Sequence, residues 1–268
     1  MSHITIRHYR ANGIFIENSS DNRILNNKIK NVINNGIEVS SSSANLFWRN
    51  EIYKCFDGIR MILGSTNNWV IENTAEECFD DGFESFLAPD INNAFIGNKS
   101  IRNRSNGFDI YGSNNLILDN LLIENGLGIV INEGSNSLAI GNIIRSTKQG
   151  TYFVFNGYNN HFSAENYIVC NRREGMYNAS QFGILLDNEV LYNADSGIIL
   201  DSTSRGNLVM DNKLICNIPE NIDDRGTNNN LINNIDKPCQ PCESPSDVCG
   251  YCVDEKDSVS DSSKEGDC

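Results

Sequence analysis

Proline is scarce, five in 268 residues with three of them in the last 32, which excludes collagen-like and proline-rich chains. Histidine is scarcer: His3, His8 and His161 are the whole supply, too dispersed for a histidine metal cluster. Positive charge is short as well, 21 Lys and Arg against 35 Asp and Glu for a net charge of −14. That deficit argues against nucleic acid or an anionic membrane surface as the main partner, since both demand a basic face. No apolar run reaches the ~18 residues of a membrane span. The opening Met-Ser-His-Ile-Thr-Ile-Arg-His-Tyr-Arg lacks the apolar stretch of a secretory signal. Apolar residues nonetheless make up 39% of the chain, enough for a packed core.

Asparagine is in excess. There are 42, none of them after Asn234, and an excess confined to one part of a chain directs attention to repeats. Ten asparagines keep a register: Asn27, Asn50, Asn73, Asn98, Asn120, Asn142, Asn166, Asn188, Asn212 and Asn234, at intervals of 22 to 25 residues. Aliphatic or aromatic residues recur two places before most of them (Leu25, Trp48, Ile71, Ile96) and two places after (Ile29, Ile52, Leu122, Ile144). This is strand alternation. Half a period away lies a second signature: Asn12-Gly13-Ile14, Asn35-Gly36-Ile37, Asp57-Gly58-Ile59, Asp81-Gly82-Phe83, Asn106-Gly107-Phe108 and Ser196-Gly197-Ile198. Asx-Gly pairs favour turns because both residues tolerate positive φ.

A coil of 22 to 25 residues with short strands and one asparagine per turn predicts an all-β chain, a parallel β-helix of about ten turns. Stacked at one corner, the amides would donate to one neighbouring turn and accept from the other, satisfying groups that a bend leaves unpaired. The Asn-Gly-Ile and Asn-with-aliphatics pattern over residues 12–235 resembles the right-handed parallel β-helix repeat proteins of the pectin-lyase-like class. The resemblance implies a single-stranded right-handed coil. That scaffold carries polysaccharide lyases, hydrolases and epimerases as well as tailspikes, adhesins and inert rods, so it does not choose among functions.

Composition changes at Asp236, which predicts a coil over residues 1–236 and a Cys-rich, acidic, mostly irregular tail over 237–268. The tail reads Cys239-x2-Cys242-x6-Cys249-x2-Cys252 and ends at Cys268. Two CxxC pairs can hold one tetrahedral zinc ion through Cys239, Cys242, Cys249 and Cys252; the other reading is a disulfide-bonded or cross-linking tail. Cys55 and Cys78 match on successive turns, close enough for a disulfide and equally suited to a buried reduced pair. Cys170 and Cys216 match each other two turns apart, too far to bridge.

In the strands that follow the glycines, residues one and three places on should face the core and residues two and four places on should face out. The outward positions stack Glu38, Arg60, Glu84 and Asp109 on consecutive turns, with Phe86, Tyr111 and Tyr152 beside them. Carboxylates bordered by flat rings are what a sugar-binding groove needs. Glu84 and Asp109, roughly 5 Å apart on adjacent strands, have the spacing of a retaining glycosidase pair. With Arg60 they form the candidate catalytic set; Glu38, Phe86, Tyr111 and Tyr152 form the candidate substrate-binding set. In a second arrangement Glu38, Glu84 and Asp109 hold Ca²⁺ while Arg60 pairs with a uronate. Gly82-Phe83-Glu84-Ser85 and Asn106-Gly107-Phe108-Asp109 look like active-strand motifs of β-helix alginate and chondroitin lyases and uronan epimerases, but the basic residue of those motifs is absent here. The plain reading is a solvated ion-pair ladder along Glu38, Arg60 and Glu84.

Two functions follow. One is polysaccharide binding or processing, with a glycan as partner. The other is a structural, coat or fibre component that self-associates through its first-turn edge or its tail cysteines.

Overall fold

The computed structural model describes residues 1–148, 159–240 and 244–249, together with the backbone course of residues 152–154. Among the described residues, thirty-one short strands form three parallel sheets of ten, ten and eleven strands, each strand pairing with its equivalents on the adjacent turns. The first sheet runs from Ile14–Glu17 to Ile222–Asp224, the second from Arg23–Leu25 to Asn230–Ile232, and the third from Thr5–Arg7 to Ile235–Lys237. A turn of coil visits them in that order, so about ten turns stack into a rod roughly 48 Å long at ~4.8 Å per turn. A short helix, Pro245–Cys249, is the one helix among the described residues.

The ten registered asparagines form one unbroken line at the corner between the second and third sheets. Each Nδ2 donates to the Oδ1 of the next, from Asn27 to Asn50 at 3.0 Å through to Asn212 to Asn234 at 3.0 Å. Each Oδ1 also accepts the backbone N–H of its counterpart on the preceding turn, as Asn50 does from Asn27 at 3.0 Å. The bend therefore leaves no orphaned donor at this corner.

The expected alternation holds after the ladder but not before it. Ile29 and Ile52 are buried, whereas the residues two places ahead, such as Leu25, Trp48 and Ile71, are only half-buried. The residue between is the cause: Asn26, Arg49, Glu72, Asp119 and Asp187 all have φ between 51° and 55°. One left-handed residue shifts the side-chain parity. The core positions ahead of the ladder are therefore Ile24, Phe47, Val70, Phe95 and Ile117.

Glycine serves a different purpose from the one its turn preference implies. Gly36 and Gly58 do not have positive φ. A Cβ on Gly58 would stand 2.2 Å from Gly82 O and 2.6 Å from Ala75 Cβ, so the third sheet and the next turn are packed directly against the bare backbone.

The tail cysteines are oxidised onto the coil, Cys249 to Cys170 and Cys239 to Cys216. Both coil partners are left-handed corner residues, φ 58° and 52°, so a side chain there leaves the core and meets the returning tail. Two of the four proposed zinc ligands are thus consumed as disulfide sulfurs, which cannot act as thiolate ligands, and the four-cysteine zinc site is replaced by the disulfide alternative. Cys242, Cys252 and Cys268 lie outside the described residues. Cys55 and Cys78 are free and buried, stacked as a reduced pair.

Candidate active site on the first sheet

The site begins with a second kind of ladder, at the corner entering the first sheet. Asn12, Asn35, Asp57, Asp81 and Asn106 stack there, and the Oδ1 of each of the first four accepts the backbone N–H of the next residue in the column. Asp57 Oδ1 takes Asp81 N–H at 3.1 Å, and Asp81 Oδ1 takes Asn106 N–H at 2.7 Å. An asparagine could do this equally well. Aspartate at two adjacent turns adds a second carboxylate oxygen at each, and Asp57 Oδ2 is buried with no hydrogen-bond partner.

Strand register then places the outward acids beside these two. Glu84 lies between Arg60 and Asp109 on the neighbouring strands. Carboxylate oxygens of Asp57, Asp81 and Glu84 come within 4.8 Å of one another. Arg60 Nε stands 2.8 Å from Glu84 Oε2, and its terminal nitrogen is 3.9 Å from Asp57 Oδ2. The side chains of Glu84 and Asp57 are only 7% and 1% exposed, so this is an internal cluster opening outward through Arg60 and Asp109.

Burial raises every carboxyl here. Asp81 is pushed up to about 8, chiefly by burial and next by the charge of Asp109. Asp109 rises to about 7, again through burial, and its hydrogen bond from Asn132 Nδ2 opposes the shift. Glu84 is also raised, by burial first and Asp57 second, despite the guanidinium that favours its ionised form. Asp57 moves the same way, with Arg60 opposing. Four neighbouring acids cannot all ionise around a single cation, so protons are retained near neutrality.

The aromatic border forms where it is expected. The Phe86 and Tyr111 rings lie 5.9 Å apart at a tilt of 55°, and Arg60 Cζ sits 4.5 Å over the Phe86 ring. Phe86 opens the loop that contains Pro89. Buried Asp90 ties that loop down, its Oδ1 accepting from Gly64 N at 2.8 Å and Ser65 N at 2.7 Å, its Oδ2 from Leu87 N at 3.0 Å.

The structure therefore gathers Arg60, Glu84, Asp109, Phe86 and Tyr111. Glu38 stays apart: it accepts from Asn35 Nδ2 at 2.7 Å, and the ion pairs of Arg60 go to Glu84 and Asp57 instead, so the Glu38–Arg60–Glu84 ladder is not formed. The side chain of Tyr152 lies outside the described residues. Asp57 and Asp81 are the members that outward-facing periodicity overlooks, because they sit at the corner; the available signal is Asp replacing Asn in two consecutive Asx-Gly pairs. The clustered donors are Asp57, Asp81 and Glu84 rather than Glu38, Glu84 and Asp109.

The chain matches the family described as "Right handed beta helix region" over residues 1–90 and 85–215, and it belongs to that family. No curated protein matches its sequence. Among solved structures it is similar to the Azotobacter vinelandii mannuronan C-5 epimerase AlgE6 A-module, with TM-score 0.60 and 14% identity over 90% of this chain and 78% of that one. The AlgE4 A-module of the same organism gives TM-score 0.54 and 13% identity over 88% and 78%. At these identities the likeness is one of fold.

Proposed function

We propose that this β-helix binds and processes a polysaccharide in the acidic–aromatic groove of its first sheet, with Glu84 and Asp109 as the proton-transfer pair. The observation that carries the reading is the juxtaposition of four buried or half-buried carboxyls on three successive turns around one guanidinium. A stabilising role does not account for it, because burying like charges together costs free energy that asparagine at Asp57 and Asp81 would avoid. Raised carboxyl pKa values in a groove are what acid–base chemistry at neutral pH requires. In this reading Glu84 holds a proton and donates it. Asp109, nearer the surface and oriented by Asn132, accepts one. Phe86 and Tyr111 offer their faces to a sugar ring, and Arg60 orients the oxygen being protonated.

The fold neighbours named above are polysaccharide-modifying epimerases, which supports a glycan substrate. Elimination, hydrolysis and epimerisation all need an acid and a base so placed. The deciding experiment is incubation with a panel of neutral and uronic-acid polysaccharides. Ultraviolet absorbance reads unsaturated ends, a reducing-sugar assay reads hydrolysis, and proton NMR reads epimerisation. Glu84→Gln and Asp109→Asn should each lower turnover by roughly a hundredfold or more; turnover untouched by both would end the proposal. The fibre reading loses much of its motive, since Cys239 and Cys249 bond within the chain.

A further inference from the structure

A second depression lies against the corner that leads into the acidic cluster. It encloses about 390 Å³ and is lined by Phe56, Phe79, Asp80, Arg104, Ser105 and Asn106 among others. Phe56 and Phe79 occupy the same place on successive turns and are 43% and 58% exposed, and both rings line this depression. Arg104 follows in the same column one turn on and is exposed. Among the described residues it forms no ion pair, although Asp80 lines the same depression. Asn106 is 8% exposed, and its Oδ1 is buried without a hydrogen-bond partner. Two ring faces, an unspent guanidinium and an unpaired amide oxygen are a recognition set for a sugar ring that carries a carboxylate.

The position matters as much as the chemistry. Phe56 and Phe79 immediately precede the stretch holding Asp57, Asp80 and Asp81, while Phe86 and Tyr111 lie at the far end of the same strands. The acids are therefore flanked by aromatic platforms on both sides, seven residues apart from Phe79 to Phe86 around a corner, a path of at most ~23 Å at ~3.3 Å per residue.

We propose that the depression at Phe56, Phe79 and Arg104 is a second glycosyl subsite, specific for a uronosyl residue, and that the substrate is a uronic-acid polymer crossing the first sheet along its strands. The proposal rests on the polysaccharide reading above and deepens it. Arg104 supplies the charge selection: its guanidinium takes the sugar carboxylate in a bidentate pair, leaving Phe56 and Phe79 to stack on the ring. The chain's overall charge of −14 would otherwise repel a polyanion, so an unpaired cation at the groove's edge has a clear use.

The test measures binding of the full chain, by calorimetry, to oligouronates and to the same oligosaccharides with their carboxyl groups reduced to alcohols. Arg104→Gln should weaken oligouronate binding roughly tenfold and leave the reduced oligosaccharide unaffected. Phe79→Ala should weaken both. Glu84→Gln should leave this subsite's contribution intact while abolishing turnover. Wild-type protein that binds both oligosaccharides equally, with Arg104→Gln silent, overturns the uronosyl subsite and leaves the groove reading standing. Wild-type protein that binds neither, and processes neither, overturns both. Arg104 and Phe79 are exposed, so circular dichroism of either variant should match wild type.

Discussion

Arg60 is shared between an acid and a ring. Its Nε lies 2.8 Å from Glu84 Oε2 while its guanidinium carbon sits 4.5 Å over the face of Phe86. The acid lies on the adjacent turn's strand and the ring at that strand's end, so a single side chain ties the polar and apolar halves of the groove together.

The arrangement sets a pH dependence. Asp109 works as a base only when ionised, and its pKa is about 7; Glu84 works as an acid only while protonated, and its pKa lies well above the usual carboxylate range. The rate should rise through neutrality and fall at higher pH. Removing the guanidinium removes an influence that lowers Glu84, so Arg60→Gln should carry the alkaline limb to higher pH along with its loss of rate. An alkaline limb that moves downward would contradict this assignment.

Stability should also fall as pH rises. Asp81 has its pKa raised to about 8, so between the ordinary carboxylate range and that value the folded chain holds a proton that the unfolded chain has released. The stability linked to this proton is fully present below about pH 4 and is lost as pH climbs through about 8. Asp81→Asn keeps the Oδ1 that accepts Asn106 N–H. It should be nearly neutral below about pH 4 and increasingly stabilising as pH climbs, by on the order of 1–3 kcal/mol or more above pH 8. Melting temperatures across that range provide the measurement.

Asn120 tests the ladder. Its Nδ2 donates to Asn142 Oδ1 and to Phe95 O, both at 3.0 Å, and its Oδ1 accepts from both nitrogens of Asn98 at 2.8 and 3.0 Å. Asn120→Ala strands buried partners on two turns and should cost about 2–4 kcal/mol in denaturant unfolding. Asn234→Ala, at the half-buried end of the same line, should cost less.

Gly58 tests the close packing of turn on turn. Gly58→Ala forces a methyl against Gly82 O at 2.2 Å and should destabilise by roughly 3 kcal/mol or more. Gly97 is the contrast: its φ is +63° and its surroundings are open, and equivalent positions on other turns carry Arg49, Glu72 and Asp119. Gly97→Asp should therefore be mild.

The line from Asn27 to Asn234 was legible because one residue type holds it at every turn. Two further stacks were harder to read. In the column Asn22, Asn45, Asn68, Asn93 and Asn115, later turns substitute Ser137, His161 and Gly183; His161 is buried at this corner. The third corner mixes Val32, Cys55, Cys78 and Thr147 with Asn103, Asn125, Asn171 and Asn193, so no single letter marks it. Facing direction was readable for Asp109, which is half-buried, whereas Glu84, Val130 and Ile199 at the equivalent outward positions are buried. It was misread around Leu25 and Trp48 because a single left-handed residue leaves no distinctive letter: Asn26, Arg49 and Glu72 all adopt it. The pairing of Cys170 with Cys249 depends on where the tail returns, which no local pattern records.

That return path has a mechanical outcome. From the final turn the polypeptide doubles back over the outside of the rod, fastened at Cys216 and again at Cys170. Stretched from its two ends, such a molecule would unravel turn by turn from the front, while the rear turns stayed locked as a block until a reductant released them.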